Sequence, residues 1–125
     1  MILGIGIDIV QIHRIRLVLE RQADRFTKRV FTPAEQEYCR FHRDPAPHYA
    51  ARFAAKEAAF KALGTGWTQG VSWLDVEVVR RDQAAPVLTL TGGAARHARG
   101  LGMQKAHVTL SHSDEAAVAM VILEK

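Results

Sequence analysis

Two carboxylates and a lysine stand out in this chain. Asp8 lies in Gly4-Ile5-Gly6-Ile7-Asp8-Ile9-Val10, an apolar run with strand alternation. In a strand Ile5, Ile7 and Ile9 point to one face, while Gly4, Gly6 and Asp8 point to the other. Glu57 and Lys61 are four residues apart within a stretch built mainly of alanine and phenylalanine, and on a helix that spacing puts them on one face. Two carboxylates completed by substrate phosphates are the usual way to hold Mg²⁺, which keeps several waters and seldom takes an all-protein cage. Plainer accounts exist for each feature. An edge strand with its one acid turned to water explains Asp8, and a surface i,i+4 pair worth roughly 0.3–0.5 kcal/mol explains Glu57 and Lys61. Against them, a glutamate on a buried helix is costly without a cation, and glycines beside Asp8 leave room for something to lie against the backbone.

Gly4-x-Gly6 is not a dinucleotide fingerprint, because Ile9 stands where the third glycine belongs and no loop opens a helix there. Gly64-Thr65-Gly66 reads as a helix C-cap, although consecutive amides in such a turn can cradle a phosphate. None of the six histidines forms a helical i,i+4 metal pair with a nearby acid, so a zinc hydrolase has no support. His112, between Ser111 and Ser113, sits at a hairpin tip, where binding groups are common and plain polar turns equally so. No nucleophile elbow surrounds a serine. Arg14, Arg21, Arg25 and Lys28 fall within a stripe of about 60° at 100° per residue. Most charged stripes are solvated faces, but one of a single sign favours an acidic docking partner more than an alternating stripe would.

The elements that must position these residues follow from periodicity. Gln11 to about Val30 is helical, with Ile12, Ile15, Leu19, Ala23, Phe26 and Val30 on one face; Asp24 is a candidate early stop. Thr32-Pro33-Ala34-Glu35 has the form of a capping box opening a short helix to about Phe41. After Asp44-Pro45-Ala46-Pro47 comes the main helix, from His48 and ending at Gly64, apolar on most sides and hence central. Strands are expected at Val71–Arg80, Val87–Thr91, His107–Ser111 and Ala116–Leu123, with a helix at Gly93–Leu101 and the last two strands forming an antiparallel hairpin. The fold class is α+β, an antiparallel sheet wrapped on a central apolar helix.

The 125 residues, 48% hydrophobic and 24% charged, suit one domain spanning 1–125. No stretch is apolar enough for a membrane span. Asp8 interrupts the N-terminal apolar run and no basic segment precedes it, so no secretory signal is expected. A lone Cys39 permits no internal disulfide, and the cytoplasm is the expected location. A formal charge of +4 and a pI near 9.6 imply an acidic partner of some kind. A small nucleic-acid-binding module would explain that charge, but it gives Asp8 and Glu57 no role and lacks an aromatic stacking platform.

The combination of Gly4-Ile5-Gly6-Ile7-Asp8-Ile9-Val10, Arg52-Phe53-Ala54-Ala55-Lys56-Glu57-Ala58-Ala59-Phe60-Lys61-Ala62-Leu63-Gly64-Thr65-Gly66 and His107-Val108-Thr109-Leu110-Ser111-His112 resembles, from end to end, the holo-(acyl-carrier-protein) synthases, the short bacterial class of 4′-phosphopantetheinyl transferases. The resemblance implies an enzyme of fatty acid biosynthesis that moves the phosphopantetheine arm of coenzyme A onto a serine of an apo acyl carrier protein, leaving adenosine 3′,5′-bisphosphate. It implies that Asp8 and Glu57 hold Mg²⁺, that Lys61 lies beside the transferred phosphate, and that Glu57 or a magnesium-bound water takes the serine proton. Under it the glycines beside Asp8 clear space for the pyrophosphate. By the same match Arg52, Lys61, Gly64, Pro86 and His112 bind coenzyme A, and Arg14, Arg21 and Arg25 meet the acidic carrier. A homotrimer with active sites between protomers is implied, without nucleic acid or membrane. Gln11 departs from a glutamate common in the family. Asp44 departs from a basic residue found in some members.

Overall fold

The computed structural model describes Met1–Lys125. The chain runs β1 (Ile2–Gln11), α1 (Ile12–Val30), α2 (Pro33–Phe41), α3 (Ala46–Leu63), a single 3₁₀ turn (Trp73–Asp75), β2 (Val76–Val79), β3 (Val87–Leu90), α4 (Gly92–Leu101), β4 (Lys105–His112) and β5 (Ala116–Glu124). It is α+β with antiparallel pairing throughout, but the strands form two sheets: β1-β5-β4 and the hairpin β2-β3.

The three-stranded sheet lies on α3, and residue size decides how closely. On β5, Ala117, Ala119, Val121 and Leu123 are buried against the helix, which answers with Ala54, Ala55, Ala58, Ala59 and Ala62. The glycines of β1 allow a still closer approach. A Cβ at Gly4 would stand 2.0 Å from the Ala62 carbonyl oxygen, and one at Gly6 would stand 1.8 Å from that of Ala58. The space beside the glycines is therefore filled by the α3 backbone. This corrects the expectation that they clear room for a pyrophosphate; they bring Asp8 down onto the helix that carries Glu57 and Lys61.

The opposite face of β1 is open. Ile5, Ile7 and Ile9 are 58%, 52% and 66% exposed, and their cross-strand partners on β5 are Ile122, Met120 and Val118. An apolar sheet face of this kind, uncovered by its own chain, marks an interaction surface.

Local sequence sets the helix ends. Thr32 caps α2 in the expected capping box with Glu35, and Pro33 stands in the first turn. The first helix passes Asp24 and reaches Val30, with one non-helical residue, Gln22 at φ −142° and ψ 40°. The main helix begins at Ala46 rather than His48, since Pro47 falls in its first turn, where the missing N–H costs nothing. The strand expected from Val71 forms only at Val76, because Ser72 and Asp75 cap each other around the 3₁₀ turn.

The buried polar residues of α3 are tied down. Lys56 Nζ lies 2.7 Å from Glu35 Oε1, with both side chains fully buried, and donates to the carbonyls of Trp73 and Val76. Glu35 also accepts from the amides of Thr32 and Val78, at 2.9 and 2.8 Å. Burial pushes the Lys56 amine down, opposed by the neighbouring Glu35 charge. The pair joins α2, α3 and β2 at one point.

Candidate active site

Asp8, Glu57 and Lys61 meet where β1 crosses α3. Lys61 Nζ donates to the Ile7 carbonyl at 3.0 Å and to Asp8 Oδ1 at 3.1 Å. The Asp8 side chain is 14% exposed and that of Lys61 54%. Lys61 is thus anchored at the strand but free to turn toward a ligand in the solvent. Glu57 is half-buried on the same helix face. Burial pushes its carboxyl up, the Asp8 charge adds to the rise, and Lys61 opposes it. A half-buried carboxyl whose ionisation a second carboxylate opposes forms with it a donor set suited to a hard divalent cation, with its remaining positions left to water and phosphate.

Gly64 follows one turn beyond Lys61, at φ 78° and ψ 12°, as the left-handed cap of α3. The Gly64 amide bonds to the Lys61 carbonyl, and the Thr65 and Gly66 amides both bond to that of Phe60. All three amides are spent on closing the helix, so this turn is no phosphate cradle; the helix end with its four orphan carbonyls claims them first.

The other site residues expected from sequence gather elsewhere. Arg52, Pro86 and His112 line a cleft of about 330 Å³ together with Tyr38, His48 and Arg80. Arg52 is 2% exposed; its guanidinium lies 4.0 Å over the Tyr38 ring, one Nη donates to the His48 carbonyl at 3.4 Å, and its Nε has no partner. A buried cation in the wall of a cleft that also contains Arg80 suits a phosphate. His48 stacks on His42 at 3.6 Å and meets His112 edge-on at 5.9 Å. Burial, then the charges of His42, Arg52 and His112, push His48 down to about 4. Neither the stacked imidazoles nor the Lys56–Glu35 pair is marked by local sequence pattern.

The two groups do not meet within one chain. Arg52 and Lys61 are nine residues apart on α3, about 13.5 Å along the axis and half a turn round it. Asp8 lies on the β1 edge of the sheet and His112 on the β4 edge, with β5 between them. Arg14, Arg21 and Arg25 are all exposed along α1, with the break at Gln22 dividing the stripe. Arg16 pairs with Asp44 across the mouth of the α2–α3 connection at 2.7 and 3.2 Å.

Residues 4–121 match the family model described as the 4′-phosphopantetheinyl transferase superfamily. The chain is 51% identical over 124 residues to the holo-[acyl-carrier-protein] synthase of Koribacter versatilis, covering 99% of each. Among solved structures it superposes on the holo-[acyl-carrier-protein] synthase of Neisseria meningitidis with a TM-score of 0.89 at 30% identity, covering 100% of both chains. It superposes on that of Helicobacter pylori in complex with coenzyme A with a TM-score of 0.84 at 32% identity, covering 96% of this chain and 99% of that one.

Proposed function

This chain belongs to the 4′-phosphopantetheinyl transferase superfamily, and from that premise we propose how its residues divide the work of moving phosphopantetheine from coenzyme A to a serine of an apo acyl carrier protein. The serine hydroxyl attacks the phosphorus that bears the pantetheine arm. The bond from that phosphorus to the oxygen bridging the pyrophosphate breaks, and adenosine 3′,5′-bisphosphate leaves with the electron pair. Catalysis of such a transfer rests on positioning and on neutralising charge.

The observation that carries the assignment is the junction of Asp8, Glu57 and Lys61 at the α3–β1 crossing. Asp8 and Glu57 hold Mg²⁺, which when bound supplies positive charge against the phosphate oxygens. Lys61, half-exposed, turns from Asp8 to the transferred phosphate. Glu57, or a water on the bound metal, takes the serine proton in this reading. Arg52 and His112 receive the nucleotide's phosphate in their cleft, with Pro86 in its wall, while Gly64 keeps the end of α3 free of a side chain. Arg14, Arg21 and Arg25 steer the acidic carrier.

One coenzyme A can reach both groups if Asp8, Glu57 and Lys61 of one protomer face Arg52, Pro86 and His112 of the next. The open isoleucine face of β1 supports that assembly, and the homotrimer is the form proposed, with residues 1–125 acting as one unit. No helix is long and apolar enough to cross a membrane, and the cytoplasm, where both substrates are soluble, is the proposed place of work. Incubation with coenzyme A, Mg²⁺ and an apo carrier, read by intact mass, should add the phosphopantetheine arm to the carrier. An unchanged carrier mass would contradict the proposal.

A further inference from the structure

Three imidazoles meet beside the cleft that contains Arg52. His48, in the first turn of α3, stacks on His42 at 3.6 Å and meets His112 of β4 edge-on at 5.9 Å. A carbonyl can only accept, so His42 donates Nδ1–H to Tyr38 at 2.9 Å and His112 donates Nδ1–H to Ser113 at 3.3 Å. The His48 ring has no such partner within the chain. Its surroundings are mostly cationic. Arg52, one turn along α3, donates to the His48 carbonyl, and Arg80 lines the same cleft from the end of β2. From α2, Tyr38 adds only a ring edge at 5.9 Å. The one acid acting on His48 is Asp44, and Arg16 holds both of its oxygens. No carboxylate lines the cleft. Burial, then His42, Arg52 and His112, hold His48 down to about 4, so it is uncharged near neutral pH.

We propose that His48 makes nucleotide binding proton-linked: it takes a proton from solvent when an anionic nucleotide enters the cleft, so that binding tightens as pH falls. The inference rests on the reading of Arg52 and His112 as the nucleotide site. A phosphate among Arg52, Arg80 and His112 offsets the positive charges that oppose protonation of His48, and its own charge then favours it. One negative charge about 6 Å away, at an effective dielectric constant of about 20, moves a titration midpoint up by about two pH units. That carries His48 from about 4 to about 6. Two imidazolium rings stacked at 3.6 Å repel, so the pair takes a single proton. His48 receives it, because His48 lines the cleft and His42 does not. Coenzyme A and adenosine 3′,5′-bisphosphate share the nucleotide, so acid conditions favour capture of the substrate and retard release of the product.

Adenosine 3′,5′-bisphosphate, titrated by calorimetry in buffers of unlike ionisation heat, reports the protons taken up on binding. At pH 6 the wild type should take up about 0.5 proton more per nucleotide than His48→Asn, and at pH 8 almost none more. The ligand's own phosphates titrate near 6 with either protein, so the difference between the two isolates His48. From pH 8 to pH 5.5 the wild type should gain about fourfold in affinity relative to the variant. In the unsubstituted protein, the His48 ring proton followed by NMR should titrate near 4 alone and near 6 with the bisphosphate bound. Equal proton uptake by wild type and variant overturns the proposal. So does a His48 midpoint that the ligand leaves unmoved, or a variant weakened by the same factor at every pH, which would make His48 merely structural. If the wild type does not bind the bisphosphate, the nucleotide-site reading falls first and this inference with it, whereas binding without the extra proton removes the proton linkage alone.

Discussion

Gly6→Ala separates the two explanations of the glycines in β1. A Cβ there would stand 1.8 Å from the Ala58 carbonyl oxygen and 3.0 Å from the Ala62 amide nitrogen, so α3 must retreat by roughly 1.5 Å to restore ordinary contact. The obstacle is backbone, which no rotamer change can move aside. Gly6 is not among the positive-φ residues, so alanine gains about 0.4–1 kcal/mol from a less disordered unfolded state. Overpacking by about 1–3 kcal/mol opposes that gain, and with contact this short the upper part of the range applies. A net loss of about 1–2 kcal/mol lowers Tm by about 4–8 °C in a chain of this size. The same retreat draws Glu57 away from Asp8, and a 1 Å misplacement at a reacting site costs about 100-fold in rate. Thermal unfolding and carrier modification should therefore fall together. If Gly6→Ala keeps wild-type Tm and loses only coenzyme A binding, the glycine serves a ligand and the packing argument is refuted.

Asp8→Asn keeps side-chain shape but removes charge from the proposed metal site, so turnover should fall by about 100-fold at low Mg²⁺ and recover partly at high Mg²⁺ with Tm unchanged; near wild-type turnover at low Mg²⁺ would contradict the role. Lys56→Met strands the buried carboxylate of Glu35 and should cost about 3–5 kcal/mol in urea unfolding, and a loss below about 1 kcal/mol would show that the pair is dispensable. His48, held down to about 4, stays neutral in the native state while its unfolded counterpart takes a proton near its ordinary value of 6.5. Its contribution to stability is therefore lost as pH falls from about 6.5 toward about 4, and His48→Asn should flatten the pH dependence of Tm across that window. Reversing Arg14 and Arg21 to Glu should raise the carrier's KM about tenfold or more and reduce its salt dependence, leaving that of coenzyme A nearly unchanged. A raised coenzyme A KM with the carrier unaffected would show the two substrates assigned to the wrong surfaces.

Much of the site was legible because its signals are local. The i,i+4 spacing of Glu57 and Lys61, the acid in an alternating strand and the capping box at Thr32 each depend on a few neighbouring residues. What sequence could not show were contacts between distant segments. The glycines plainly needed a close neighbour, but only the fold identifies it as α3 rather than a ligand. The turn at Gly64 offered amides that the helix end consumes. Lys56 adjoins Glu57 in sequence, but its partner, Glu35, lies on another helix. The Val71–Arg80 segment carried enough β-branched residues for a longer strand, yet the mutual caps of Ser72 and Asp75 turned its first half. The split into two sheets followed from pairings that periodicity does not encode.

The claim that one site is built from two copies is tested most directly by mixing defective subunits. Glu57→Gln disables one half of the site and Arg52→Gln the other, so each variant alone should be nearly inactive on the carrier. Refolded together at equal amounts, random cyclic assemblies place an intact Glu57 half against an intact Arg52 half with probability ½ × ½, restoring about a quarter of wild-type turnover. Activity no higher than the sum of the separate variants, in mixtures shown by mass to contain mixed assemblies, would mean that each chain completes its own site and that the account is wrong.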